Sequence, residues 1–119
     1  MKKIVCMTIS LVIFSLVCSF SNASAEYLPD KIQNIITRHA SDRYPNNEVL
    51  QQRWISLQTK AYFKIQGYQN EMITDQEMKV IKGQATRKFP DSFVHQLTFI
   101  DKQSKKFLAK EENPENGIQ

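Results

Sequence analysis

The chain has 119 residues, of which 16 are basic and 12 are acidic, and its formal net charge is +4. A chain of this length forms one domain at most. Hydrophobic residues make up 41% of it and there are only three glycines and four prolines, so the composition excludes collagen-like, linker-like and proline-rich proteins. A compact helical or mixed fold is therefore expected.

The N-terminal segment has the pattern of an export signal. A positively charged start is followed by an almost unbroken apolar run over residues 4–17, and small residues lead up to Ala25. This order predicts a signal peptide over residues 1–25 that is cleaved after Ala25, with export to the periplasm or the exterior. The apolar run is shorter than the roughly 20 residues that cross a bilayer, so no stable membrane anchor is expected after cleavage.

Removal of this leader changes the composition of the working protein. Of the 119 residues, 25 are lost and 94 remain; both cysteines and two lysines go with the leader, so the net charge falls from +4 to +2. A charge this small does not favour binding to nucleic acid. Because the remaining chain has no thiol and no disulfide, its stability depends on a packed apolar core.

Proline, glycine and capping residues divide the remaining chain into helical segments. Asp30 is the predicted N-cap of the first segment, in which apolar residues recur at helical spacing until Pro45 ends it. Asn46 and Asn47 are the predicted caps of a second helix, which ends at Gly67. Two helices joined by a short turn are therefore expected in this half of the chain.

The second half shows the same punctuation. A capping-box pattern that begins at Thr74 predicts the start of a third helix, and Pro90 ends it. Asp91 and Ser92 are the predicted caps of a fourth helix, which is followed by a predicted flexible tail over residues 113–119. No segment alternates apolar and polar residues over a sustained run, so we predict an all-α fold with no sheet.

The chain resembles itself at an offset of 45 residues. Residues 28–65 fall on residues 73–110, and nine of the 38 aligned pairs are identical. The identical pairs are Asp30/Asp75, Ile36/Ile81, Ala40/Ala85, Pro45/Pro90, Val49/Val94, Gln51/Gln96, Ile55/Ile100, Gln58/Gln103 and Lys60/Lys105. Convergence of two helical hairpins would explain the prolines and caps but not the paired glutamines.

The offset predicts two tandem helix-turn-helix repeats, over residues 28–66 and 73–110, within one helical domain over residues 26–112. We expect them to form a four-helix bundle-like domain, either with approximate internal two-fold symmetry or as a short two-repeat stack. Two repeats are few for an open solenoid, so closure of the repeats on each other, or a homodimer, is favoured.

The second helix of each repeat carries a mixed stripe of glutamine, isoleucine and aromatic side chains on one face. Hydrogen bonds within the domain, to the hairpin turn or across the interface between the repeats, would account for the amides. A surface that holds an extended peptide through amide bonds and flat aromatic contact is the other interpretation. The candidate binding residues are Gln51, Trp54, Gln58, Tyr62, Gln96, Phe99, Gln103 and Phe107.

Residues that commonly carry catalysis or bind metals are sparse. His39 and His95 are the only histidines, and neither has the spacing of a zinc or di-iron site. Ser41 and Asp42 lie close to His39, but one helical turn does not bring three such side chains into the geometry of a nucleophile, a base and an orienting acid. The glycines are isolated, so there is no phosphate-binding loop. We therefore expect a protein that is not an enzyme and has no metal or cofactor.

These patterns predict a small exported, non-catalytic protein-binding or adaptor module of the cell envelope or the secreted fraction, whose partner is an unknown protein or peptide. The alternative is a periplasmic carrier of a ligand or a haem, with a pocket between the two helix hairpins. Such a haem site would pair a histidine such as His95 with Met72 or Met78, and the chain has no haem-attachment motif.

Overall fold

A computed structural model describes residues 26–113 of the chain. This part is all-helical and contains no strand, which confirms the predicted all-α class. The four helices are α1 (Asp30–Arg43), α2 (Glu48–Gln66), α3 (Asp75–Lys88) and α4 (Phe93–Glu112). The predicted signal peptide and residues 114–119 of the predicted tail lie outside the described residues.

The start of α1 differs from the prediction. Asp30 is the first residue of the helix and not its N-cap, because Pro29 occupies the cap position and makes no side-chain capping bond. The Asp30 carboxylate instead accepts a hydrogen bond from the Tyr27 hydroxyl at 2.9 Å. A carboxylate in the first turn interacts favourably with the positive end of the helix dipole, so Asp30 still suits a helix start.

The other helix starts show how the chain caps free backbone amides. Asn47 accepts from the Leu50 N–H at 3.1 Å and Ser92 accepts from the His95 N–H at 3.3 Å. Asn46 and Asp91, also expected to act as caps, lie one residue too early in their turns to reach these amides. The capping box at the start of α3 is confirmed.

The helices pack as two hairpins joined side by side. The first hairpin (α1 and α2) and the second hairpin (α3 and α4) meet through α2 and α4. Gln58 bonds to Val94, and Tyr68, just after α2, bonds to Asp101. Because the later position on one side meets the later position on the other, α2 and α4 run in the same direction.

The main hydrophobic core lies between the linker, α3 and the two central helices. Buried apolar side chains form it, and Phe93 packs against its edge. The buried members are Ile65, Ile73, Met78, Ile81, Ala85 and Ile100. Ala40 in α1 and Ala85 in α3 are fully buried, and small side chains at these points allow close approach of the partner helix.

The linker between the hairpins is tied to α4 by polar contacts. The Tyr68 hydroxyl donates to an Asp101 carboxylate oxygen at 3.3 Å, and the Lys105 ammonium donates to the other at 2.8 Å. The hydrogen bond from Lys105 is the main cause that lowers the pKa of Asp101, and the same bond raises the pKa of Lys105.

Within the described part of the chain, no helix combines the length and apolar character needed to cross a bilayer.

Candidate functional site

The two hairpin turns are built by the same contacts. The Gln51 side-chain amide donates to the Tyr44 carbonyl at 2.8 Å, and the Gln96 amide donates to the Phe89 carbonyl at 2.7 Å. Each bond satisfies a carbonyl that the end of the preceding helix leaves without a helical partner. Two of the four paired glutamines are therefore used to hold the turns.

The aromatic residues beside these glutamines seal the same turns. Tyr44 meets Trp54 edge-on at 6.3 Å between ring centroids. Phe89 meets Phe99 in the same way at 6.0 Å. A cation lies over the ring from the second helix in each case, with the Arg43 guanidinium 4.8 Å from the Trp54 centroid and the Lys88 ammonium 5.3 Å from that of Phe99. Trp54 and Phe99 thus have matched surroundings, in which they pack against the turn.

Gln58 makes a contact between the hairpins. Its side chain is only 1% exposed, its carbonyl oxygen accepts from the Val94 N–H at 3.2 Å, and its amide approaches the Ser92 hydroxyl at 3.4 Å. The Val94 N–H belongs to the first turn of α4 and has no acceptor within its own helix. Gln58 therefore helps to cap a helix of the other hairpin.

Two neighbours of Gln58 complete the face on which the second hairpin sits. The Tyr62 ring lies edge-on to Phe93, with centroids 5.3 Å apart. The Nε2 atom of His39 lies 3.4 Å from an Asp91 carboxylate oxygen, which forms an ion pair when His39 is protonated. His39, Gln58 and Tyr62 are called the docking face of the first hairpin below.

The positions of the second hairpin that correspond to this docking face line an open groove. They are Gln84, Gln103 and Phe107, each 45 residues further on. The groove lies between α3 and α4 and has a volume of about 740 Å³. Val80 on its α3 side is 48% exposed, and the α4 side carries Lys106 and Lys110. We call this surface the open groove.

Only one of the two equivalent contacts between a turn and the opposite hairpin forms among the described residues. The docking face of the first hairpin holds the turn of the second hairpin (residues 91–95, the second turn). The turn of the first hairpin (residues 46–50, the first turn) is not held by the open groove. Val94, in the second turn, is 37% exposed, but the identical residue Val49, in the first turn, is 79% exposed. The parallel packing of α2 and α4 is staggered along the helices, so a symmetric second set of contacts does not form.

A second cavity, of about 490 Å³, lies between the hairpins. His39 and Trp54 line it from the first hairpin, and Lys88 and His95 line it from the second. The indole N–H of Trp54 is buried and has no hydrogen-bond partner among the described residues. This cavity thus combines aromatic, cationic and imidazole groups in one place.

The methionines considered for a haem do not line this cavity. Met78 is buried near the start of α3, whereas the cavity lies at its other end, near Phe89. A helix rises about 1.5 Å per residue, so Met78 and Phe89 are separated by roughly 15 Å along the axis. The described residues contain no cluster of three or more side chains suited to hold a metal.

Comparison of the chain with protein family models, with curated proteins and with solved structures gives no match. The candidate site is therefore defined by this chain's own geometry. Of the eight predicted binding residues, three glutamines bond within the domain, Trp54 and Phe99 pack at the turns, and Tyr62 packs between the hairpins. Gln103 and Phe107 lie in the open groove.

Sequence reasoning restricted the candidate surface to the second helix of each repeat and so missed the contribution of α3. Val80 and Gln84 form the opposite wall of the open groove. The sequence contains a signal for this wall of the groove, because Gln84 aligns with the docking-face residue His39 at the offset of 45. What the alignment does not show is which of the two equivalent grooves is filled.

Proposed function

We propose that this protein is an exported, non-catalytic protein-binding module made from two copies of one helical hairpin, and that the open groove is its binding surface. The proposal rests on the different surroundings of two equivalent glutamines. Gln58 is buried against the second hairpin, while Gln103 remains in an accessible groove of the same design. A groove shaped to hold a polypeptide turn in one hairpin is available for a polypeptide in the other.

The chemistry of the open groove suits a polypeptide with apolar and acidic side chains. Val80 and Phe107 offer apolar contact, and Gln103 can both donate to and accept from a peptide backbone. Lys106 and Lys110 on the α4 wall outnumber Glu77 on the α3 wall and would attract a carboxylate. The groove therefore supports binding of a protein segment better than binding of nucleic acid, for which the chain offers too little positive charge.

Site-specific cross-linking tests the proposal. A photoactivatable residue at Gln103 is expected to give a defined adduct in the native envelope or medium, because that position lies inside the groove. The matched control places the same residue at Leu57, which is 48% exposed, as Val80 is, but does not line the groove. Equal adducts from both positions, or none from Gln103 with the protein folded, would contradict a binding groove.

The export part of the proposal rests on the pattern of residues 1–25. The mass of the protein recovered from its host provides the test. Cleavage after Ala25 gives a chain that begins at Glu26, lacks both cysteines and carries a net charge of +2. A chain that retains Met1 and stays inside the cell would refute it.

A second candidate function is supported by the cavity between the hairpins, which suits a small polar ligand. Arg43 and Lys88 line it together with Asp42 and Asp91, and His39 and His95 add imidazole groups, so a polar ligand would find both donors and acceptors. Trp54 is the only tryptophan in the chain and lines the cavity, so its fluorescence reports on ligand entry. A carrier should change this emission on saturable binding and show visible absorbance if it holds a haem, and a protein that does neither is not a carrier.

A further inference from the structure

We propose that the partner of the open groove is a second copy of this chain, which inserts its first turn, residues 46–50, head to tail. This inference rests on the proposed function, since it names the partner of the same groove. Its basis is the interface already present inside the chain. The docking face of the first hairpin holds residues 91–94, and both halves of that interface have unfilled equivalents 45 residues away.

The hydrogen bonds of the internal interface can be repeated between two copies. Gln58 bonds to Ser92 and Val94 within the chain. The equivalent set joins Gln103 of one copy to Asn47 and Val49 of the next, and Asn47 has a side-chain oxygen where Ser92 has a hydroxyl. The same donors and acceptors are therefore available at both places.

Exposure of identical residues shows that both halves of the second interface are open. Val49 is about twice as exposed as Val94, because the first hairpin covers the latter. Leu50, next to it, is a further exposed apolar side chain at 38%. Docking of residues 46–50 into the open groove would cover these side chains together with Val80.

Where the internal interface and its proposed equivalent differ in sequence, the residues on the two sides remain complementary. Phe93 packs against Tyr62 and the core cluster that contains Ile65, and its equivalent in the first turn is Glu48. The equivalents of Ala61 and Ile65 in the open groove are Lys106 and Lys110. An apolar contact in the internal interface thus becomes a carboxylate facing two ammonium groups in the external one.

A polar pair is also replaced by another polar pair. His39 and Asp91 meet within the chain at 3.4 Å. Their equivalents are Gln84 in the open groove and Asn46 in the first turn, two amides that can hydrogen-bond to each other. The groove and the turn are different surfaces, so a pair of copies still leaves one groove and one turn free. Further copies can add at these ends, and the assembly is an open chain or a closed ring.

Two complementary variants test this arrangement. Val80→Arg blocks the groove and Val49→Arg blocks the turn, and neither side chain belongs to the core. Sedimentation velocity of the purified protein up to about 1 mM, where weak contacts become populated, should show a mass that rises past twice that of the monomer. Each variant alone should stay monomeric, and Leu57→Arg should behave as the wild type.

The decisive sample is an equal mixture of the two blocked variants. The intact groove of Val49→Arg accepts the intact turn of Val80→Arg, so the mixture should form one dimer of twice the monomer mass and nothing larger. Glu48→Lys and the double variant Lys106→Glu and Lys110→Glu should each stay monomeric. Their mixture should assemble past the dimer, as the wild type does, because both contacts between unlike copies then join opposite charges. Circular dichroism melting of every variant confirms that it is folded.

The outcomes separate this inference from the proposed function. A wild type that remains monomeric up to about 1 mM overturns the head-to-tail contact. Dimerisation of Val49→Arg alone also overturns it, because a contact that survives that substitution does not need the first turn. If the wild type is monomeric while Gln103 still cross-links to a different protein, the binding groove stands and only its partner was wrong.

Discussion

Replacement of Gln58 by alanine is expected to destabilise the fold, whereas the same replacement at the equivalent Gln103 is expected to be nearly neutral. The two residues are identical and occupy matching positions on α2 and α4. Gln58, however, is buried between the hairpins and accepts from the Val94 N–H, while Gln103 lines the open groove. The pair therefore isolates the effect of tertiary surroundings from that of residue type.

The magnitude for Gln58→Ala follows from two losses. A buried donor left without its acceptor costs about 1–3 kcal/mol, and the lower part of this range applies because Val94 is partly exposed to water. The methylene group that is removed contributes about 0.8 kcal/mol when buried. The sum is about 2 kcal/mol, which corresponds to a fall in Tm of roughly 10 °C for a domain of this size. For Gln103→Ala we expect a change within about 0.5 kcal/mol.

Thermal and urea unfolding followed by circular dichroism measure both variants under the same conditions. With the photoactivatable residue placed at Val80 instead of position 103, Gln103→Ala should capture less of the groove's partner without a change in Tm, so binding and stability separate at this residue. The double replacement of both glutamines would mix the two effects and decide nothing. Equal losses of Tm in the two single variants, or an unchanged Tm in Gln58→Ala, would refute the assignment of Gln58 to the interface between hairpins.

Four further predictions concern stability. Ser104 is 2% exposed and its hydroxyl has no hydrogen-bond partner among the described residues. Ser104→Ala should therefore leave the free energy of unfolding unchanged or raise it by up to about 1 kcal/mol in urea titrations. A clear fall in the free energy of unfolding would contradict this reasoning. Asn47→Ala should lower the stability by about 1 kcal/mol through loss of the α2 cap. Asn46→Gly should be neutral or stabilising in the same assay, because Asn46 has a φ of 63° that glycine adopts freely. If Asn46→Gly were less stable than Asn47→Ala, the assignment of Asn47 as the cap would be contradicted. The Asp101–Lys105 pair should stabilise the fold only while both groups are charged. The pKa of Asp101 is lowered from 3.8, so its contribution is present above pH 3.8 and is lost as the pH falls through the lowered value. The pKa of Lys105 is raised from 10.5, so its contribution is present below pH 10.5 and is lost above the raised value. The difference in Tm between the wild type and Asp101→Asn should therefore be constant between these limits and vanish in acid, and a difference that persists in acid would show that charge is not its cause.

The helices follow from local chemistry, which is why their number and approximate ends could be predicted. A proline stops a helix and a short polar side chain caps one, whatever the rest of the chain does. The error at Asn46 and Asp91 is of one residue, because two adjacent polar residues both look like caps and only the backbone path decides which oxygen reaches the amides. The paired glutamines were also visible, although two destinations for their amides remained open.

The destinations depend on how the hairpins pack. Gln51 and Gln96 bond to the turns of their own hairpins, so their matching environments follow from the matching sequence. Gln58 and Gln103 match equally well in sequence, yet one is buried and the other lines a groove. Packing of α4 along α2 in the same direction, with a stagger, covers the face of the first hairpin and cannot at the same time cover that of the second. Long-range contact alone therefore turned two equivalent residues into an interface and a candidate binding site.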